Sequence, residues 1–293
     1  MKQEADNIAL KVHKEKSHIG SRAVNLGLIF LFLCGLLVAA YPIISNELSN
    51  RNTIHAVETY KVYSANLDAD ELDVEWTAAR VYNDNLAGDP VRDPFVIDSG
   101  MVLPENYLEV LNPAGDGLMG YLEIPSVDIR LMIAHGTSDE VLKKFAGHIE
   151  QTSLPIGEAT SHAVLTAHTG LPTARLFTDL NKMEEGDKFY IYVLDKMLTY
   201  QVDQIKVILP EEVEQLCIVP GEDYVTLLTC TPYGINSHRL LVRGKGIPNE
   251  ETVQSVEGRG FNLLWVLMVV PLLFILFFWW RRKKKKIRKE RNV

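Results

Sequence analysis

The sequence predicts a mainly β domain, a closed barrel of seven or eight strands with short helices, carried between two transmembrane helices. Residues 117–246 contain short runs rich in Val, Ile, Leu, Thr and Tyr, separated by turns such as 194–197. Two longer apolar runs without charge, 23–44 and 261–280, stand on either side of this region. The expected strands lie near 118–124, 127–134, 162–168, 187–193, 198–208, 224–230 and 238–245.

Both apolar runs are long enough to cross a bilayer. Residues 23–44 form a run of 22 residues without charge, and at about 1.5 Å per residue a helix of that length spans a hydrocarbon core of ~30 Å. A cleavable signal peptide is the alternative, since Val38, Ala39 and Ala40 are small enough for a cleavage site. We favour an uncleaved anchor, because the run exceeds the roughly 7–15 residues of a signal core.

The second run is followed by a basic tail, which predicts the orientation of the chain. Residues 281–293 hold nine Lys or Arg and one Glu, and basic residues also outnumber acidic ones in residues 1–22. Positive charge is retained on the cytoplasmic side, so both termini are expected inside the cell and residues 45–260 outside. The protein is thus predicted to be a two-pass protein of the cell membrane.

The exported part is acidic. Removing the two cytoplasmic ends leaves 16 Lys and Arg against 34 Asp and Glu, a net charge of −18. Such a charge argues against nucleic acid as a partner. This part has only two cysteines, Cys217 and Cys230, with no framework of disulfides to suggest a stapled scaffold. We expect Cys217 to pack inward from an amphipathic helix, although a disulfide between the two remains open at this level.

The chain divides into eight predicted segments. They are a cytoplasmic N-terminus (1–22), a transmembrane helix (23–44), an extracellular helical segment (45–88), a lid loop (89–100), the barrel (101–250), a linker (251–260), a second transmembrane helix (261–280) and a basic cytoplasmic tail (281–293). Apolar residues at three- and four-residue spacing indicate two helices in the extracellular segment, with Trp76 as their anchor on the barrel. Short helices are also expected at 139–145, 173–180 and 211–217.

Residues 226–239 contain a candidate nucleophile, Cys230, and a candidate cationic partner, Arg239. A β-prone run ends at Cys230, where the turn-forming residues 231–234 must break the strand, and a second β-prone run then carries Arg239. A lone cysteine more often serves as a small buried hydrophobe. A thiol at a strand end, however, is within reach of a substrate.

This stretch resembles the signature of the sortases, cysteine transpeptidases of Gram-positive surfaces. The resemblance rests on residues 226–230 (Thr-Leu-Leu-Thr-Cys) with Arg239 downstream, and on 167–170 (Ala-His-Thr-Gly) and 152–157 (Thr-Ser-Leu-Pro-Ile-Gly). It implies the sortase barrel, with Cys230 as nucleophile, His168 as acid and base, and Arg239 beside the oxyanion. Seven other histidines are present in the chain, but His168 matches the family's catalytic position. The chemistry requires no metal and no cofactor.

A shorter match falls between the helices and the barrel. Asp93, Pro94 and Phe95 resemble the lid motif of class C, pilus-assembly sortases, in which an acidic and an aromatic residue cover the cleft. Proline would stiffen the loop, Phe95 would plug an apolar cleft, and Asp93 would meet Arg239 as a charge-assisted partner.

The resemblance implies peptide partners. A class C sortase cleaves a Leu-Pro-x-Thr-Gly-like sorting signal between Thr and Gly and transfers the acyl group to an acceptor amine, a lysine of a pilin. A housekeeping sortase, which joins surface proteins to peptidoglycan, is one alternative. A noncatalytic, membrane-anchored binding protein that uses the barrel as a recognition module is the alternative from a different class.

Overall fold

The computed structural model describes the backbone of residues 2–86, 106–249 and Phe277, with side chains from Gly27 onward. The predicted lid, with Asp93, Pro94 and Phe95, lies outside the described residues. So do the linker, the basic tail and, apart from Phe277, the second apolar run.

The described chain contains three helices and eight strands. The helices are α1 (Lys2–Ser64), α2 (Ala69–Asn85) and the single-turn α3 (Asp139–Leu142). The strands are β1 (Leu118–Ile124), β2 (Ile129–His135), β3 (Ala146–His148), β4 (Ser161–Thr166), β5 (Lys188–Val193), β6 (Lys196–Ile208), β7 (Asp223–Thr231) and β8 (His238–Ile247). Short 3₁₀ turns lie at Pro125–Val127, Leu180–Lys182 and Val213–Leu216.

The eight described strands close into one barrel in the order β1-β2-β3-β4-β7-β8-β6-β5. This confirms the predicted closed barrel, and each of the seven expected strands is present. The pairs β2–β3 and β4–β7 are parallel and the other pairs are antiparallel. The interior is filled by apolar side chains with little or no exposure, among them Met119, Ile133, Leu165, Phe189, Tyr200, Val225 and Val242.

The strand that the sequence did not reveal is β3. Its three residues, Ala-Gly-His, offer neither a β-branched side chain nor an alternating pattern. It forms because the barrel needs an element between β2 and β4, and both neighbours bond to it. A side chain on Gly147 would lie 2.4 Å from the carbonyl oxygen of Gly136, so this strand also needs glycine for close backbone approach.

Both N-terminal helices pack on the barrel. Tyr60 of α1 donates to the Met119 carbonyl at 2.9 Å and accepts the Leu194 amide at 2.8 Å, which ties α1 to β1 and to the turn after the neighbouring strand β5. Trp76 of α2 is 5% exposed, and its indole N–H donates to Asp195 at 2.9 Å. The Lys196 ammonium covers the indole ring at 3.9 Å from its centroid. The predicted anchor role of Trp76 is therefore confirmed.

The two expected helices form, with a boundary set by local capping. Asp68 accepts the Glu71 amide at 2.8 Å and the Glu71 carboxylate accepts the Asp68 amide at 2.9 Å, a capping box that starts α2. The first apolar run belongs to α1, which continues unbroken to Ser64. From Gly27 this helix is apolar and long enough to cross a membrane, and it is the one such helix among the described residues.

Four local expectations were wrong in detail. Residues 173–180 form turns and not a helix, and 211–217 contain only the 3₁₀ turn Val213–Leu216. The helix expected over 139–145 is reduced to α3. Cys217 is exposed rather than packed inward, because Leu216 fills the buried position of its turn. Cys217 and Cys230 form no disulfide.

Replacing Trp76 by Ala should lower the free energy of unfolding by about 3–5 kcal/mol, since the substitution leaves a cavity where α2 meets the barrel. Val74 lies on the same helix and is 67% exposed, so Val74→Ala should change that free energy by no more than about 0.5 kcal/mol. Urea unfolding of the detergent-solubilised protein, followed by circular dichroism, measures both. Equal effects of the two substitutions would contradict the anchor role.

Candidate active site

The thiol and the guanidinium lie on neighbouring antiparallel strands. Cys230 is near the end of β7 and pairs directly with Arg239 near the start of β8. Residues directly opposite in an antiparallel pair project to the same face. Cys230 is 9% exposed and Arg239 is 6% exposed. The two side chains therefore share a nearly buried position at one end of the barrel.

His168 reaches the same place through the parallel pairing of β4 with β7. The register pairs Ser161 with Asp223 and proceeds to Thr166 with Leu228. One residue further on, the Ala167 amide donates to the Leu228 carbonyl at 3.3 Å, and the Thr229 hydroxyl donates to the Ala167 carbonyl at 2.7 Å. Continuing this register puts His168 beside Cys230.

His168, Cys230 and Arg239 form a row across neighbouring segments of the barrel. Counting along the strand on the other side of β4 extends this row by one more residue. On the other side of β4, Gly147 pairs with Thr166 and His148 with Leu165, and the same count carried two residues further puts Phe145 opposite His168. Four neighbouring segments of the barrel thus bring Phe145, His168, Cys230 and Arg239 into one row. The segment that includes Phe145 also carries α3, which places α3 close to His168.

The loops that follow His168 and Cys230 are held by backbone contacts. The His168 carbonyl accepts the Phe177 amide at 3.1 Å, which closes the loop after β4. Gly170 has a φ of +77°, and a Cβ at this position would lie 3.1 Å from the ring of Tyr233 in the loop after β7. Glycine permits both the left-handed backbone and the close approach of the two loops.

Arg239 is held in place by main-chain oxygens. Its guanidinium donates to the carbonyls of His238 at 3.2 Å and Asn236 at 3.3 Å. These bonds keep the positively charged guanidinium next to the thiol. A fixed cation there is suited to stabilising negative charge on sulfur or on a carbonyl oxygen.

Two opposing effects act on His168. Burial lowers its pKa below the ordinary value of 6.5, because desolvation disfavours the imidazolium. The carboxylate of Asp139 acts in the opposite direction and raises the pKa, while the ammonium of Lys143 lowers it. Asp139 and Lys143 form an ion pair with each other across one turn. The charge state of His168 is therefore set partly from α3.

Comparisons with known proteins identify the family of the chain. The family model of the sortase domain matches residues 122–247. Sortase C1 from Streptococcus agalactiae is 40% identical, with a TM-score of 0.62 over 67% of this chain and 100% of that chain. The chain belongs to the sortase family. Members of this family are cysteine transpeptidases that act on sorting signals of proteins.

Two further relatives extend the comparison. A sortase C from Streptococcus pneumoniae, described in terms of its pilin substrate specificity, is 42% identical with a TM-score of 0.60, over 68% of this chain and 100% of that chain. Sortase A of Streptococcus agalactiae serotype III is 32% identical over 117 residues. That alignment covers 39% of this sortase and 47% of the relative, so the chain spans about half the length of this relative.

Three other histidines of the barrel have structural surroundings. His148 and His162 are almost fully buried, and burial lowers the pKa of His148 to about 3 and that of His162 to about 4. Both bond to main-chain oxygens, of Ser153 and of Cys217 respectively. His135 bridges two carbonyls. His168 differs from these three, because it is half-buried at the barrel end beside Cys230.

No group of three or more His, Cys, Asp and Glu residues that could hold a metal ion occurs within the part of the chain that the structure describes. Sequence reasoning missed Asp139 and Lys143, which no motif singles out. The signal that could have found them is the Asp-x-x-x-Lys spacing on the short helix before β3, since residues four apart face each other on a helix.

The pKa of His168 should respond oppositely to the two charges on α3. Asp139→Asn should lower it, because a favourable anion is removed, and Lys143→Met should raise it. Glu140→Gln, an equal change of charge at the next residue, should have a smaller effect than either. NMR titration of the histidine ring protons in the full chain, with His168 assigned by H168Q, measures these shifts. A rise in Asp139→Asn would contradict the assignment.

Proposed function

We propose that this sortase is a membrane-anchored pilin polymerase. Cys230 attacks the carbonyl between Thr and Gly of a Leu-Pro-x-Thr-Gly-like sorting signal and becomes a thioester, releasing the C-terminal part as an amine. A lysine of another pilin subunit then attacks the thioester and becomes part of an amide. The observation that carries the proposal is the cross-strand row, which brings thiol, imidazole and guanidinium together at one end of the barrel.

His168 transfers the protons in this scheme. It takes the proton of the Cys230 thiol and gives it to the leaving amine when the first amide bond breaks, and in the second step it takes a proton from the incoming amine and returns it to the sulfur. Its half-buried position supports both roles, since the ring meets substrate at the barrel end while its backbone stays fixed by Phe177 and Ala167. Because burial lowers its pKa, the neutral imidazole predominates near pH 7, which suits the proton-accepting step.

Arg239 stabilises the negative charge that develops on the carbonyl oxygen or orients the substrate backbone. Its two bonds to main-chain carbonyls preorganise the guanidinium before the substrate binds. Its charge also favours the thiolate of Cys230 over the thiol. One buried cation thus serves both the resting nucleophile and the tetrahedral intermediate.

Likeness to class C sortases supports pilin as substrate and acceptor, in particular likeness to the Streptococcus pneumoniae enzyme described by its pilin substrate specificity. In this proposal both termini are cytoplasmic, the segments 23–44 and 261–280 span the membrane, and residues 45–260 face outward. Asp93, Pro94 and Phe95 form a lid over Cys230 that opens to admit the sorting signal.

Replacing Cys230 by Ala should abolish transfer, because no other group can take the acyl chain. Cys217→Ala is the matched control, and it should retain activity since Cys217 is an exposed thiol away from the row. Arg239→Ala should reduce kcat by about 100- to 1,000-fold, as expected for loss of a donor to an oxyanion. All three variants are tested in two ways. Intact-mass measurement detects the thioester, and cleavage of a sorting-signal peptide gives the rate.

The acceptor is tested with the same preparations. Wild-type protein and pilin should give a covalent ladder on a denaturing gel, and Cys230→Ala should give none. Exclusive transfer to peptidoglycan-derived amines would overturn the polymerase assignment and leave a housekeeping sortase. Transfer that survives in Cys230→Ala would overturn the nucleophile.

Phe95→Ala should speed the labelling of Cys230 by a thiol reagent, because a lid without its aromatic plug opens more easily. Asp93→Asn should do the same if the lid carboxylate pairs with Arg239. Labelling is followed by mass spectrometry in a Cys217→Ala background, so that Cys230 is the reporting thiol of the exported domain. Unchanged rates in both variants would mean that this loop does not guard the site.

A further inference from the structure

An exposed ion pair stands at the edge of the row of site residues. Asp139, the first residue of α3, bonds to Lys143, which directly follows α3, and 73% and 57% of these side chains are exposed. Ser138 starts this turn by accepting the Val141 amide, and Leu142 is buried beneath it. The turn is therefore fixed to the barrel by its apolar residue while both charges face solvent.

The barrel register explains why this pair lies near His168. Phe145 comes beside His168 in the row, and Lys143 and Asp139 precede Phe145 by two and six residues. Both charges act on the imidazole in opposite directions, and His168 in turn acts on Asp139. A carboxylate already paired with a lysine is thus close enough to the proposed proton acceptor to act on its charge.

We propose that Asp139 binds the ammonium group of the acceptor lysine, and that Lys143 occupies this carboxylate until the acceptor arrives. The inference rests on the proposed transpeptidase function and adds to it a binding site for one substrate. Lys143 presents the same chemical group as the acceptor, a primary ammonium on a four-carbon chain, so the ion pair that it makes is a copy of the one that the substrate would make.

The exchange of one lysine for the other is energetically easy. A solvent-exposed ion pair is weak, because water screens the charges and two long side chains lose freedom when they meet. An acceptor held by the rest of its protein surface can therefore displace Lys143 without disturbing α3. Asp139 would then hold the incoming nitrogen beside His168, while the thioester on Cys230 lies next along the row.

The protons and bonds balance in this arrangement. The nitrogen forms a bond to the thioester carbonyl carbon and the carbon–sulfur bond breaks. Of the three protons on the ammonium, one stays on the amide nitrogen, one passes through His168 to the sulfur of Cys230, and one goes to water. Asp139 takes no proton. Its role is to bind the cation until His168 accepts the first proton.

The test compares a charged and an uncharged nucleophile on the full chain in detergent. Acyl enzyme is formed from a Leu-Pro-x-Thr-Gly peptide and captured either by Nα-acetyl-lysine amide or by hydroxylamine, which is mostly uncharged at pH 7.5. Asp139→Asn should raise the KM for the lysine amide about two- to fivefold more than the KM for hydroxylamine, as expected for loss of one exposed ion pair. Lys143→Met should lower the KM for the lysine amide, because the internal competitor is gone.

Glu140→Gln is the matched control, since it removes the same charge from the adjacent exposed position and should leave both KM values at wild-type levels. Asp139→Glu should restore part of the preference for the lysine amide. Equal KM changes for the two nucleophiles in Asp139→Asn would overturn the inference and leave transpeptidation standing. Failure of wild-type protein to form any acyl adduct on Cys230 would instead remove the proposed function itself.

Discussion

The parallel pairing of β4 with β7 is the constraint on which the site depends. Side chains alternate between the two faces of a sheet, so a shift of one residue in this register would move Cys230 away from His168 and turn it to the opposite face. Six consecutive residue pairs hold the register, and the buried hydroxyl of Thr229 bonds to the Ala167 carbonyl where regular pairing ends. The strands pair through contacts far apart in sequence, and a closed barrel leaves them no edge along which to slip.

The site combines side chains in rigid positions with electrostatics that nearby charges can adjust. Cys230 and Arg239 are almost fully buried on neighbouring strands, whereas His168 lies half-buried at the start of a loop. Burial lowers the pKa of His168 because water no longer solvates the imidazolium. The exposed carboxylate of Asp139 raises the pKa of His168, and the ammonium of Lys143 lowers it. The barrel thus determines where the groups meet, and the charges on α3 adjust which protonation state of the imidazole is populated.

Much of the fold was predictable because its strands are long and rich in β-branched and aromatic residues, as in β6 and β7. Failures came where local pattern is weak and tertiary contacts decide. The three-residue β3 exists only between its two neighbours, and residues 173–180 remain turns although their composition permits a helix. Cys217 was misjudged because an amphipathic pattern does not specify which turn residue is buried when the helix is a single 3₁₀ turn.

By itself the sequence determined the apolar N-terminal helix and the closed barrel, and it singled out the three side chains proposed for the site, since these depend on hydrophobic runs, strand propensity and short motifs. Only the tertiary structure decided that His168, Cys230 and Arg239 come together, because strand order and register are properties of pairing between distant segments. It also brought Asp139 and Lys143 to His168. No motif marks these two residues, and their importance arises from the fold that carries α3 across the barrel end, where their charges act on an imidazole more than twenty residues away in the chain.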